Sequence, residues 1–330
     1  MKKLLFFFFL SLILGICSCS NHPAGATHVT PSPVPARTPP GASEVTGKIL
    51  IEQPSGIFLT TAEGKGSRLI VPQTDGLLNA ALSHDGTRVA YFINGFYFIE
   101  DLQTGAVSQL NQEFIGGVPY GMGWSPDDRN IGFNCVPPND QASEICTIDV
   151  TQQHFQVLTH LGQAVSPDQS AAGGGARFGS WGEDGVHLSF AVGFYPSSGG
   201  RSKRSLQILN IHTGEIVTIF DEATQSTISA IDSPMLSPDG KTVLFDGNIR
   251  QLTEIFQINA DGSGLRQVTL GNHASGISHP VWSPDGSVFF AYTASDSDPA
   301  KIGIPMLFSL NGNILLQLDI GSGRVLSWVK

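Results

Sequence analysis

Basic residues are scarce in this chain: 18 Lys and Arg stand against 28 Asp and Glu, a formal net charge of −10. That balance excludes a general nucleic-acid binder, which needs a basic footprint to neutralise phosphates. Charge of either sign is sparse, at 14% of residues, and no long stretch after the N-terminal segment has helical periodicity. None of the nine histidines stands in a His-x-x-x-His or similar ligand spacing, so no metal or other cofactor is expected. Glycine (38) and proline (20) are plentiful and 41% of residues are hydrophobic. Such a mixture suits many short strands joined by turns.

One phrase recurs. It reads Leu82-Ser83-His84-Asp85-Gly86, Trp124-Ser125-Pro126-Asp127-Asp128, Trp181-Gly182-Glu183-Asp184-Gly185, Leu236-Ser237-Pro238-Asp239-Gly240 and Trp282-Ser283-Pro284-Asp285-Gly286, with a shortened copy at Ser327-Trp328. All four tryptophans take the same position in it. The phrase has tight-turn chemistry: Pro presets its φ, Asp bonds nearby amides and Gly accepts a positive φ. Apolar segments flank it, such as Val243-Leu244-Phe245, Glu254-Ile255-Phe256-Gln257-Ile258 and Arg266-Gln267-Val268-Thr269, which gives four strands per repeat. Equivalent aspartates lie 42, 57, 55 and 46 residues apart, room for one four-stranded propeller blade each.

The ends give the blade count. Ile49-Leu50-Ile51, Gly56-Ile57-Phe58-Leu59 and Ser67-Arg68-Leu69-Ile70 read as second, third and fourth strands without a first. The missing strand is Arg324-Val325-Leu326-Ser327-Trp328 at the other terminus. One blade built from both ends leaves no open edge where the ring shuts. The expectation is an all-β, six-bladed β-propeller over residues 46–330.

Ahead of it, Lys2 and Lys3 precede an apolar run from Leu4 to Ile16, broken only by Ser11 and Gly15. This reads as an export signal at 1–18. A retained anchor is the alternative, but thirteen helical residues reach about 20 Å, short of the roughly 30 Å hydrocarbon core. Ile16-Cys17-Ser18-Cys19 resembles a bacterial lipobox in which Cys19, with Ser18 before it, would be lipidated; Cys17 fits poorly, and ordinary secretion is the alternative. Residues 19–45, with Thr30-Pro31-Ser32-Pro33-Val34-Pro35 and Thr38-Pro39-Pro40-Gly41, read as an extended tether.

The Trp/Leu-Ser-Pro-Asp-Gly repeats followed by Ile-Phe-x-Ile resemble the TolB-type propeller repeat of bacterial envelope proteins, most clearly from Asp239 to Thr269. The resemblance covers residues 46–330 and implies the propeller fold. It departs from TolB in having a lipobox where TolB has an α/β domain, so TolB's partner contacts are not carried over. The same repeat occurs in prolyl-oligopeptidase-like peptidases, but their Gly-x-Ser-x-Gly elbow is absent here.

All the long connections, 136–144, 160–177, 193–204, 221–232, 271–278 and 293–304, open on one face, the expected working surface. Counting back from each Trp or Leu anchor to the innermost strands finds Tyr120, Arg177, Asp232, His279 and Arg324, a ring around the channel mouth with donors suited to carboxylate or carbonyl groups. Asp232 is the one acid in that ring. Arg201, Lys203 and Arg204 read as a basic loop tip. Asp296 and Asp298 alternate as in a calcium loop, but its Gly and Glu are missing. A register in which paired residue numbers sum to 281 sets Cys135 opposite Cys146, as a disulfide or as two buried thiols. The expected role is a non-catalytic binding or scaffold protein, anchored outside the cytoplasm through its lipid, for an envelope protein, peptide or glycan. The alternative is a lactonase or glycosidase acting at the channel mouth.

Overall fold

The structure, a computed structural model, describes residues 45–73, 77–110, 121–138, 140, 142–161, 171–196, 203–225, 227–270, 276–294 and 302–330. The expected export signal, Cys19 and the tether up to residue 44 lie outside them, as do Tyr120, Arg201, Asp296 and Asp298.

The four copies of the repeated phrase that carry serine at the second position close a turn with the same bonds. Ser125 Oγ donates to Asp127 Oδ1 at 2.6 Å, the Asn130 amide donates to Ser125 Oγ at 2.9 Å, and the Asp128 amide reaches Ser125 O at 2.9 Å. Ser83, Ser237 and Ser283 repeat the set. The last residue of the phrase takes a positive φ of 65° to 71° in Gly86, Gly185, Gly240 and Gly286, and of 56° in Asp128. Asp128 is kept at that position by its carboxylate, which accepts from the His84 and Asp85 amides of the preceding blade at 2.7 and 3.0 Å.

These turns link the strands into six four-stranded antiparallel sheets. Five are consecutive: blade 1 spans residues 77–109, blade 2 122–157, blade 3 171–221, blade 4 229–267 and blade 5 276–317. Blade 6 joins the termini as expected. Its innermost strand Arg324–Val329 pairs with Lys48–Gln53, setting Ile49 opposite Trp328, and Gly56–Thr61 and Arg68–Pro72 complete the sheet.

Alternating apolar residues on both faces of every blade pack against the next blade, so the core is divided into six clusters, one per interface. The recurrent tryptophans peg those interfaces. Trp124, Trp181 and Trp282 donate Nε1–H to Ala81 O, Gly123 O and Met235 O of the preceding blade at 3.1, 3.1 and 2.8 Å, while Trp328 donates to Thr46 O at 3.0 Å.

Cys135 and Cys146 form a disulfide, with Cα atoms 6.0 Å apart. The register differs from the expected one by two residues: Cys135 lies opposite Glu144 and Cys146 opposite Phe133. The bridge therefore joins diagonal neighbours, which share a sheet face. Glu144 takes the place beside Cys135 because its buried carboxylate accepts from Thr159 Oγ1 at 2.5 Å and the Leu161 amide at 2.8 Å.

Candidate functional site

The innermost strands converge on a central cavity of about 200 Å³. Gly121, Gly123 and Gly179 are among its lining residues, and a Cβ added at Gly179 would run into Pro234 O of the next blade. One end is ringed by His84, Glu183, Pro238 and Pro284, the third residues of their phrases. Asn79, Ser233, His279 and Arg324 line the other end, the mouth. There the innermost strands of blades 4 and 5 are bulged, with Ser233 and His279 at φ of 52° and 54°.

Four expected site residues are described, and they form a network rather than an open ring of donors. Arg177 is ion-paired to Asp232. Arg204 Nη1 bonds the same Asp232 oxygen at 2.8 Å and Ile231 O at 3.1 Å. This corrects the reading of Arg204 as part of a basic loop tip: Gly193 pairs with Arg204 and Phe194 with Lys203, so the hairpin of blade 3 extends into the expected loop. Likewise Arg177 and Asp232 lie within strands, Ala171–Trp181 and Ser229–Leu236. Arg324 Nη2 bonds Glu52 Oε2 at 2.5 Å.

Asp232 is not the one acid here. Asp246 lies opposite it on the neighbouring strand, buried, and accepts from the His279 amide at 3.0 Å. Burial and then the Asp232 charge push the Asp246 carboxyl up to about 7, against the His279 amide, Ser233 and Arg204, which favour its ionised form. His279 Nδ1 is 3.1 Å from both Ser278 Oγ and Tyr292 OH. Burial, then Arg324 and, to a lesser extent, Arg177, bring the imidazole down to about 4 against the pull of Asp232, while burial raises the Tyr292 phenol. Nδ1 also lies 3.6 Å from Asp246 Oδ2, and at neutral pH the imidazole is neutral, with a hydrogen on one of its two nitrogens. His279 keeps 41% of its side-chain surface accessible, within the channel.

Sequence reasoning missed Glu52, Asp246 and Tyr292. A signal for them existed: superposing the repeats by strand register puts Glu52, Asn134, Asp246 and Tyr292 at one position of the second strand in blades 6, 2, 4 and 5. Asn134 and Asp246 do the same job there, accepting an amide from the innermost segment of a blade: Gly121 N at 3.3 Å and His279 N at 3.0 Å. Among the described residues no three His, Cys, Asp or Glu side chains group as metal ligands.

These traits define a six-bladed β-propeller with a polar channel mouth. Its particular form is TolB-like: it resembles a TolB candidate from Agrobacterium tumefaciens, with a TM-score of 0.63 at 18% identity, covering 86% of this chain and 92% of that one. TolB from Acinetobacter baumannii gives 0.60 at 16% identity, over 86% and 66% of the two chains. An oligogalacturonate lyase from Vibrio parahaemolyticus gives 0.53 at 16% identity, over 82% and 71%. No protein-family profile matches the chain. In sequence, an uncharacterised protein of Agrobacterium fabrum, Atu1656, is 26% identical over 121 residues, which span 36% of this chain and 41% of that protein's length.

Proposed function

We propose that this chain is a lipid-anchored, extracytoplasmic propeller that binds a protein, peptide or glycan of the cell envelope at the channel mouth, without converting it. The observation that carries the reading is the polar end of the cavity, lined by His279 and Arg324, together with the Arg177–Asp232 ion pair across the boundary of blades 3 and 4. Rigid strands holding convergent polar groups around a concave opening are suited to recognition. The Cys135–Cys146 bridge supports an oxidising compartment, and the basic-apolar leader with Cys19 supports export and anchoring.

The test is a pull-down from solubilised envelope with residues 42–330 as bait, beside an Arg324→Gln/His279→Asn variant. Gln keeps a donor for Glu52 and Asn tolerates the positive φ, so the variant retains the fold, which circular dichroism checks. A partner held by the parent and lost by the variant is the expected result. A partner held equally by both moves the site away from the mouth.

A second reading, an enzyme of the lactonase or glycosidase kind, is favoured by the facing carboxylates of Asp232 and Asp246 and by the fold's likeness to oligogalacturonate lyase. Turnover of lactones or aryl glycosides by the parent, abolished in Asp246→Asn, would replace the binding role.

A further inference from the structure

We infer that the channel mouth is a carboxylate-binding site, in which His279 Nε2–H and the Arg324 guanidinium are the donors for one carboxylate group of the ligand. The inference rests on the binding role proposed above and specifies its chemistry.

Among the described residues, each carboxylate at the mouth already accepts a hydrogen bond. Asp232 takes Arg177, Arg204 and the Ser233 amide; Asp246 takes the His279 amide; Glu52 takes Arg324 Nη2. Two donors remain. Arg324 Nε is buried without a hydrogen-bond partner among the described residues, although Arg324 lines the cavity. A buried, unmade hydrogen bond to a charged group costs on the order of 1–3 kcal/mol, so a ligand that completes it binds more tightly. The second is the imidazole. Ser278 Oγ and Tyr292 OH flank its Nδ1, in the proposed site its hydrogen lies on Nε2, and the side chain keeps accessible surface beside the cavity.

Charge makes the ligand group a monoanion. Arg177, Arg204 and Arg324 bring three positive charges, Asp232 and Glu52 bring two negative ones, and burial opposes ionisation of Asp246. One positive charge is left over. A carboxylate cancels it, whereas a phosphate dianion would leave a net negative charge at the mouth. A guanidinium edge and an imidazole N–H also suit the two oxygens of a carboxylate. A cavity of about 200 Å³ has room for the acid group and a short stem.

The probes are N-acetylglutamate for a peptide source and galacturonate for a glycan source, with N-acetylglutamine and galactose as uncharged counterparts and inorganic phosphate as the dianion. Ring 15N NMR of the 42–330 propeller follows His279. At least one acid is expected to shift the Nε2 signal and raise the imidazole pKa from about 4, and the acid that binds more tightly names the source. The uncharged counterparts leave the signal in place. Arg324→Gln weakens the acid at least about tenfold, the loss of roughly one charge-assisted hydrogen bond, and Arg324→Lys recovers part of it. Equal responses to an acid and its uncharged counterpart, tighter binding of phosphate, or unchanged acid affinity in folded Arg324→Gln would each overturn the inference. An envelope partner that Arg324→Gln still holds would overturn it and leave the binding role standing. Acid binding with no captured partner would do the reverse.

Discussion

Asp246 and His279 exchange the usual roles of carboxylate and imidazole. With ordinary values of 3.8 and 6.5, the unfolded chain between pH 4 and 6.5 carries a proton on the histidine and none on the aspartate. In the folded chain the values are about 7 and about 4, and the proton sits on Asp246. Both states then bind the same number of protons, so the pair leaves stability flat over that window. The Asp246 share is present in full below 3.8 and is lost as pH rises through about 7. Asp246→Asn removes that share alone. The melting temperature of the variant minus that of the parent is therefore expected to climb steadily from pH 4 to beyond 7, and scanning calorimetry across that range checks it. Parallel profiles would mean that Asp246 titrates normally.

Asp128 is a second departure explained by its neighbours. Glycine in its place relieves about 1 kcal/mol of left-handed backbone strain but deletes the carboxylate bonds to the His84 and Asp85 amides. Hydrogen bonds to charged groups contribute about 1.5–3 kcal/mol. Asp128→Gly is expected to destabilise the domain by about 1–3 kcal/mol in urea unfolding, although it restores the consensus of the repeat. A gain in stability would show that the two bonds contribute little.

At the scale of elements, the connection between Cys135 and Cys146 supports the site. Ser143 makes a parallel bridge to Gly175; its amide donates to Gly174 O at 3.1 Å, its Oγ donates to Ala176 O at 2.6 Å, and it accepts from the Ala176 amide at 2.7 Å. Arg177 is the next residue on that strand. The disulfide closes this loop, so it restrains the edge against which the Arg177 strand is held. Replacing both cysteines by alanine is expected to cost about 2–3 kcal/mol and to speed amide exchange at 174–177 more than in the outer strands of blade 3. Uniform exchange changes would confine the bridge to a role in global stability. The repeats themselves were legible because a turn and its flanking strands are specified by adjacent residues. The cysteine register was not, because it depends on Glu144 finding Thr159 and on the loop reaching another blade.

At the scale of the molecule, closure of the ring decides stability. Arg324–Val329 covers the edge of Lys48–Gln53, and Val325, Trp328 and Val329 enter the clusters on both sides of blade 6. Deleting residues 324–330 is expected to abolish the single cooperative unfolding transition and promote association through the exposed edge. A chain lacking residues 1–44 should unfold like its parent. Calorimetry on the two truncations checks both, and a cooperative transition in the first would mean that five blades hold without the sixth.

Blade number, the turn at each repeat, the place of each tryptophan and the joining of the termini follow from the sequence by itself, because they depend on local bonds repeated at a regular interval. His279 and Arg324, which line the cavity, stand at a set distance before a repeated anchor. What the mouth residues touch does not follow from the sequence. Asp232 meets Arg177 across a blade boundary, Arg204 turns inward instead of outward, and Glu52, Asp246 and Tyr292 come to the mouth from second strands. Those contacts, and the protonation states they impose, exist only once the ring brings distant repeats within hydrogen-bonding distance and removes their charges from water.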